Sequence, residues 1–268
     1  MAKSTKTTLI TGASSGIGLE LAHIFAREGD DLVLVARSEN KLLTLKEELE
    51  KKHSIKVFVI KCDLSLPEAP SELISQIREK KLHIDHLVNN AGFGVFGDFA
   101  TETDWVKEKE MIQVNIVALT ELTKAFLPDM VKRSYGRVLN VASTAAFQPG
   151  PGMAIYFATK AYVLHFSEAI AEELRDTGVY VSALCPGATV SGFQNAAAMD
   201  ESKLFKDKKL PSSQEVAEYG YASLMNGKRV AVHGLANYLL AQTVRISPRN
   251  LVTKITRKLQ EKANESFC

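Results

Sequence analysis

Tyr156 and Lys160 stand four residues apart in Tyr156-Phe-Ala-Thr-Lys160. That spacing puts a phenol and an ammonium on one face of a helix, one turn apart. Ser143 lies thirteen residues earlier, at the end of a β-rich run. The three groups together suit carbonyl chemistry. Reducing a carbonyl builds negative charge on its oxygen, which a serine hydroxyl can stabilise by hydrogen bonding and a neutral tyrosine can protonate. A free phenol titrates near about 10, and a neighbouring cation favours its ionised form. A fall of roughly 3 units is equivalent to about 4 kcal/mol and would let Tyr156 act as general acid for reduction and general base for oxidation near neutral pH. The bland alternative is a core aromatic beside a surface lysine.

A second signal stands near the start of the chain. Thr11-Gly-Ala-Ser-Ser-Gly-Ile-Gly18 ends one β-rich run and opens a helical one. Gly12, Gly16 and Gly18 let the chain turn tightly and approach a pyrophosphate closely, and the helix start beyond offers free N–H groups. Ser14, Ser15 and Ile17 share this loop. The next β-rich run ends at Val35-Ala-Arg37. A dinucleotide-binding unit that selects NAD carries an acid about 20 residues after the glycines. Ala36 and Arg37 stand there instead, and a guanidinium can hold a 2′-phosphate bidentately. The expected cofactor is therefore NADP(H), preferred over NAD(H), unless Arg37 only decorates the next helix. An oxidised nicotinamide would also add a second positive charge beside Tyr156.

These residues need a scaffold that brings them together. Short apolar runs at Thr7–Thr11, Leu32–Ala36, Val57–Cys62, His86–Asn89, Arg137–Ala142, Val179–Leu184 and Arg229–His233 alternate with helical patterns. Such runs read as buried parallel strands, and the alternation implies an α/β fold. The expected architecture is a doubly wound parallel seven-stranded sheet, a Rossmann fold in three α/β/α layers. One long amphipathic helix is expected over 104–132. Residues 1–235 read as one dinucleotide-binding catalytic domain with a lid at about 190–210, and 236–268 as a helical extension broken at Pro248.

Thr11-to-Gly18 resembles the cofactor loop of the short-chain dehydrogenase/reductase family, and the match runs through most of the chain. Asn115, Ser143, Tyr156 and Lys160 resemble its catalytic tetrad. The resemblance implies that Lys160 also binds the nicotinamide ribose and that Asn115 fixes a water relaying protons to it. Asn89-Asn90-Ala91-Gly92 resembles the motif that supports the strand end beside the adenosine. Asp63 and Leu64 resemble the adenine-binding turn, although a plain helix cap would also explain Asp63. Cys185-Pro186-Gly187-Ala-Thr189-Val-Ser191 resembles the family's Pro-Gly motif. Serine stands at its last position where threonine is common, so Thr189, Ser191 or the backbone of Val190 would meet the nicotinamide carboxamide.

The substrate walls are expected from 93–99, 145–153 and 191–210, with Phe93, Phe147, Met153 and Phe193 in the pocket. Their apolar character suits a medium to bulky carbonyl or secondary alcohol, unless the aromatics simply pack the lid. A 3-oxoacyl-carrier-protein reductase is the alternative, with Lys203, Lys206, Lys208 and Lys209 facing the acidic carrier. A non-catalytic dinucleotide-sensing protein is a further one, against which the intact tetrad argues. In the tail, Leu251, Ile255 and Leu259 form a stripe among Lys254, Arg257 and Lys258. Docking on the body or subunit contact is favoured over membrane contact because the stripe is short. The helical stretches 104–132 and 154–176 resemble the pair through which family members associate, and Ala161, Leu164, Ala169 and Ile170 imply a homodimer or homotetramer.

Composition excludes other classes. Lysine and arginine number 33 against 31 acids, with no basic cluster of the kind nucleic acid requires. No apolar run reaches the roughly 18 residues of a membrane span, and the first ten residues do not read as a secretory signal. Cys62, Cys185 and Cys268 lack metal-ligand spacing, which points to reduced thiols in a cytoplasmic protein without a metal site.

Overall fold

The computed structural model describes residues 5–190 and 210–260. Seven strands form its sheet: β1 (Thr7–Thr11), β2 (Asp31–Ala36), β3 (Val57–Lys61), β4 (His86–Asn89), β5 (Gly136–Val141), β6 (Val179–Cys185) and β7 (Val230–Val232). Their order is β3-β2-β1-β4-β5-β6-β7, and each neighbouring pair is parallel. The chain leaves β1 toward β2 on one side and returns to β4 on the other. This reversal opens a crevice beyond the carboxyl ends of β1 and β4.

Strand residues alternate between two cores. Ile10, Leu32, Leu34, Val88 and Leu139 face α1 (Gly16–Arg27), α2 (Glu39–Lys52) and α7 (Ser213–Met225) through Phe25, Leu42, Leu49 and Val216. Leu9, Val33, Leu87, Val138 and Val181 face α3 (Ala69–Glu79) and α5 (Leu119–Lys132) through Leu73, Ile77, Leu122 and Phe126. The result is the expected three-layer Rossmann fold. α6 (Ala154–Glu173) packs beside β5 and β6, where Val163 and Leu164 meet Ala183 and Cys185.

The helix expected without interruption over 104–132 is interrupted. Asp104 caps α4 (Trp105–Ile112) by accepting from the backbone N–H of Val106. A π-helical turn, Gln113–Ala118, then intervenes before α5. Such turns insert an extra residue into the helical repeat, and this one holds Asn115, 1% exposed. The seventh strand is shorter than the apolar run suggested. Arg229, at its entrance, pairs instead with Glu172.

The tail forms two helices, α8 (Leu235–Ile246) and α9 (Arg249–Gln260), separated at Ser247-Pro248. α8 buries Ala241; α9 buries Val252, Thr256 and Gln260 at helical spacing. Ser191, Phe193 and the four lysines proposed for a carrier lie outside the described residues.

Candidate active site

α6 starts at Ala154, so Tyr156 and Lys160 share a face in its first two turns. Both are buried, at 8% and 5% exposure. Lys160 Nζ donates to the carbonyl of Val141 at 2.8 Å, fixing the ammonium at the carboxyl end of β5. Two residues on, Ser143 caps the short 3-10 turn Thr144–Phe147, its Oγ accepting from Ala145 N at 3.1 Å. Its side chain also hydrogen-bonds Tyr156.

Burial dominates the electrostatics of this pair. The Tyr156 phenol is pushed up to about 12 by loss of water, with the Ser143 hydrogen bond pulling it back only partly. The Lys160 ammonium is lowered to about 8, also by burial. In the protein by itself the phenol does not fall as the lysine's proximity suggested. Lys160 Nζ lies 5.8 Å from the Tyr156 ring centre and is turned toward the Val141 carbonyl. Near neutral pH Tyr156 therefore holds its proton and Lys160 its charge.

Asn115 does something its residue type did not announce. Its carboxamide pairs with both backbone groups of Phe93, donating to the carbonyl at 3.0 Å and accepting from the N–H at 3.2 Å. A further bond runs to Thr159 Oγ1, which donates to the Tyr156 carbonyl. The side chain thus ties the loop after β4 to the first turn of α6. A Cβ on Gly92 would sit 2.9 Å from Asn115 Oδ1 and 3.3 Å from Lys160 Nζ, so glycine is needed at that point.

The glycine loop is similarly crowded. Gly12 and Gly16 have φ of +67° and +57°, values that L side chains rarely adopt. A Cβ on Gly18 would come within 2.4 Å of both the Gly12 carbonyl and Asn90 Nδ2. Asn90 donates to the carbonyls of Thr11 and Gly12. Thr11 Oγ1 accepts from the N–H groups of Asn90 and Ala91. Behind them, Asn89 donates to Thr123 and Asn140, and Asn140 to Ser167. Of the buried polar residues locking β4 to β5, Thr123, Asn140 and Ser167 went unnoticed in the sequence. Each is ordinary in its local context.

One cavity of about 540 Å³ joins these parts, a size typical of small-molecule sites. Gly12, Ser14, Ser15, Gly16 and Ile17 line it, as do Arg37, Asp63, Leu64, Asn90, Ala91 and Gly92. Ser143, Tyr156, Lys160, Pro186, Gly187 and Thr189 complete its middle. Gly18 lies behind the loop, and Asn115 acts from outside the wall. Asp63 does not cap α3, whose N-cap is Glu68; its Oδ1 accepts from the N–H and hydroxyl of Ser65. Thr189 donates to the Gly187 carbonyl.

At the far end Phe93 and Met153 line the cavity with Phe157, Gln148 and Glu110. Phe147 is not among the lining residues. Its ring packs into the apolar cluster of Leu119, Val163 and Val232, because the 3-10 turn directs it toward the body. Thr256, Leu259 and Gln260 of α9 close this end. Their contribution was invisible in sequence, since nothing local says where a terminal helix returns. Ser38 and Lys41 flank Arg37 at the opposite mouth.

The family model for short chain dehydrogenases matches residues 6–202. The chain belongs to the short-chain dehydrogenase/reductase family. A short chain dehydrogenase of Pseudocercospora fijiensis is 37% identical over 190 residues, 69% of this chain and 60% of the relative. The ketoacyl reductase HetN of Nostoc is 35% identical over 182 residues, 68% of this chain and 63% of HetN. The chain thus spans under two thirds of both. A solved short-chain dehydrogenase from Sphingobium yanoikuyae in complex with NADPH superposes with a TM-score of 0.80 at 34% identity, over 90% of this chain and 94% of that one. A bulky-bulky ketone specific alcohol dehydrogenase from Comamonas testosteroni gives 0.78 at 30% identity, over 91% and 93%. As a member of the family the chain is an oxidoreductase with a nucleotide-binding Rossmann fold. No described helix is long and apolar enough to cross a membrane, and no described cluster of His, Cys, Asp and Glu could hold a metal ion.

Proposed function

We propose that this protein interconverts an apolar, medium to bulky ketone and its secondary alcohol, using NADP(H) in preference to NAD(H). The observation that carries the reading is the single cavity running from Arg37, past the glycine loop, to Tyr156 and the apolar wall. The cradle suits a dinucleotide: left-handed glycines, a helix start and a close-packed Gly18 leave backbone rather than side chains facing the phosphates. Arg37 and Lys41 suit a 2′-phosphate, and an acid is missing where NAD selection would place one. The likeness to an NADPH complex and to a bulky-ketone enzyme supports the same reading.

When bound, the nicotinamide supplies or accepts the hydride. The chain's own residues do the rest. Ser143 orients the substrate oxygen and Tyr156, which keeps its proton at neutral pH, donates it as negative charge develops there. Lys160 holds a positive charge beneath the phenol and hydrogen-bonds the ribose. Asn115 positions Phe93 and, through Thr159, the turn that bears Tyr156; by family resemblance it also fixes the proton-relay water. Thr189 and Ser191 stand for the carboxamide. Residues 1–235 serve as the catalytic unit and 236–268 as an extension that completes the pocket. The buried Cys185 thiol, pushed up to about 12 by burial, is inert packing, in keeping with a cytoplasmic setting.

A panel of ketones and alcohols, followed by NADPH oxidation or NADP+ reduction, tests the proposal. Turnover of bulky apolar ketones with NADPH is expected; a preference for NADH in kcat/KM would refute the cofactor assignment. Reduction of 3-oxoacyl thioesters is the second reading. HetN and the very-long-chain 3-oxoacyl-CoA reductase of Rattus norvegicus, 31% identical over 181 residues, favour it. Including 3-oxoacyl thioesters in the panel separates the two. Assembly as a homodimer or homotetramer through α5 and α6 is part of the proposal, supported by Val117 and Tyr162, exposed at 40% and 38% between them. Light scattering that gives a monomer mass would remove it.

A further inference from the structure

The two tail helices carry more exposed apolar surface than packing on the body explains. On α8, Leu235, Tyr238, Leu239, Leu240 and Ile246 are exposed, Leu235 at 74% and Ile246 at 86%. Leu235, Leu239 and Ile246 fall on one side of the helix at helical spacing. On α9 the exposed residues Leu251, Ile255 and Leu259 form a stripe beside the buried stripe Val252, Thr256 and Gln260. Lys254 and Lys258 lie along the other edge of the exposed stripe. The sequence favoured docking of this tail on the body or contact between subunits, but only one residue of α8 and three of α9 are buried.

Charge says what covers this face. Residues 235–260 contain Arg245, Arg249, Lys254, Arg257 and Lys258 and no Asp or Glu. The whole chain has 33 basic and 31 acidic residues, so the remainder, with 28 against 31, is the acidic part. A two-fold contact between copies would set one acid-free cationic face against itself, a repulsive arrangement. Exposed leucine and isoleucine bordered by lysine and arginine match instead the interface of an anionic bilayer, where the apolar stripe enters the acyl boundary and the cations meet phosphate.

We propose that α8 and α9 form a docking surface for an anionic lipid bilayer. Leu259 belongs both to this surface and to the cavity wall, so the docked face adjoins the apolar end of the cavity. Apolar molecules dissolved in the bilayer would then meet the pocket without crossing bulk water. The surface stands independently of the reductase reading, because binding needs no turnover.

The test is co-flotation of the full chain with vesicles of phosphatidylcholine alone and of phosphatidylcholine with phosphatidylglycerol. Binding is expected only to the anionic vesicles and should weaken with salt. Lys254→Gln with Lys258→Gln should lower partitioning roughly 30-fold, each cation near an anionic surface contributing about fivefold. Leu239→Ser with Ile246→Ser, both at exposed positions, should lower it by about 10- to 100-fold per residue. Absence of binding to anionic vesicles overturns the proposal, as does binding that survives the serine pair. Light scattering of that variant is the companion measurement: a drop from oligomer to monomer would mean that a second copy covers this face and would overturn it too.

Discussion

At the Arg37 end of the cavity the wall is built on the glycine loop, which side-chain-to-backbone bonds of Thr11 and Asn90 tie to the end of β4. At the Met153 end it is side chains from distant segments: Phe93, Met153, Phe157 and Leu259. The first end sits on strands β1, β2 and β4, and its geometry leaves no room for a methyl group at Gly18. The second is closed by loops and a terminal helix. On the proposed function, the first end takes the constant ligand, the cofactor, and the second the variable one, the substrate. Ser143, Tyr156 and Lys160 lie between them, at the end of β5.

The sharpest way to isolate that middle is Tyr156→Phe. On the proposed role, turnover falls about 100- to 10,000-fold while NADPH binding, followed by fluorescence, stays within a few fold. Near-normal turnover would break the assignment.

Next in size is the unliganded stability of a variant lacking the buried ammonium. Lys160 is lowered from 10.5 to about 8 in the folded chain, so the unfolded chain binds the extra proton between those values. The charged lysine therefore opposes folding most fully below pH 8, and that cost disappears as pH rises toward 10.5. Lys160→Met should stabilise the unliganded chain below pH 8 by up to about 3 kcal/mol, read as a higher thermal midpoint. Its advantage over wild type should shrink between pH 8 and 10.5. A pH-independent difference would mean the ammonium is not strained by burial.

Arg37→Asp probes the constant end. Removing a charge-assisted bond and adding repulsion should weaken NADPH about 10- to 100-fold, with NADH far less affected, so that the ratio of their kcat/KM values reverses. Equal losses for both cofactors would place Arg37 outside the selection. Smallest is Leu259→Ala at the variable end. KM for bulky ketones should rise about 5-fold, roughly 1 kcal/mol of lost apolar contact, with the Kd for NADPH unchanged. A matching change in NADPH binding would erase the distinction between the two ends.

Sequence alone determined the parts whose chemistry is local. The glycine spacing, the Tyr156-to-Lys160 turn and the alternation of strands and helices each depend on neighbours within one element, so their residues could be named before any fold was known. Tertiary structure decided what depends on distance along the chain. It turned Asn115 inward on a π-helical turn and spread a buried polar ladder from Thr123 to Ser167. It drew Phe147 out of the expected pocket and brought α9 back over the cavity. In the unliganded chain it also made burial of the Tyr156 phenol outweigh the pull of the nearby lysine. The cause is common to all of these: burial and hydrogen-bond partners are supplied by segments far apart in sequence, and neither residue type nor spacing records which segments will meet.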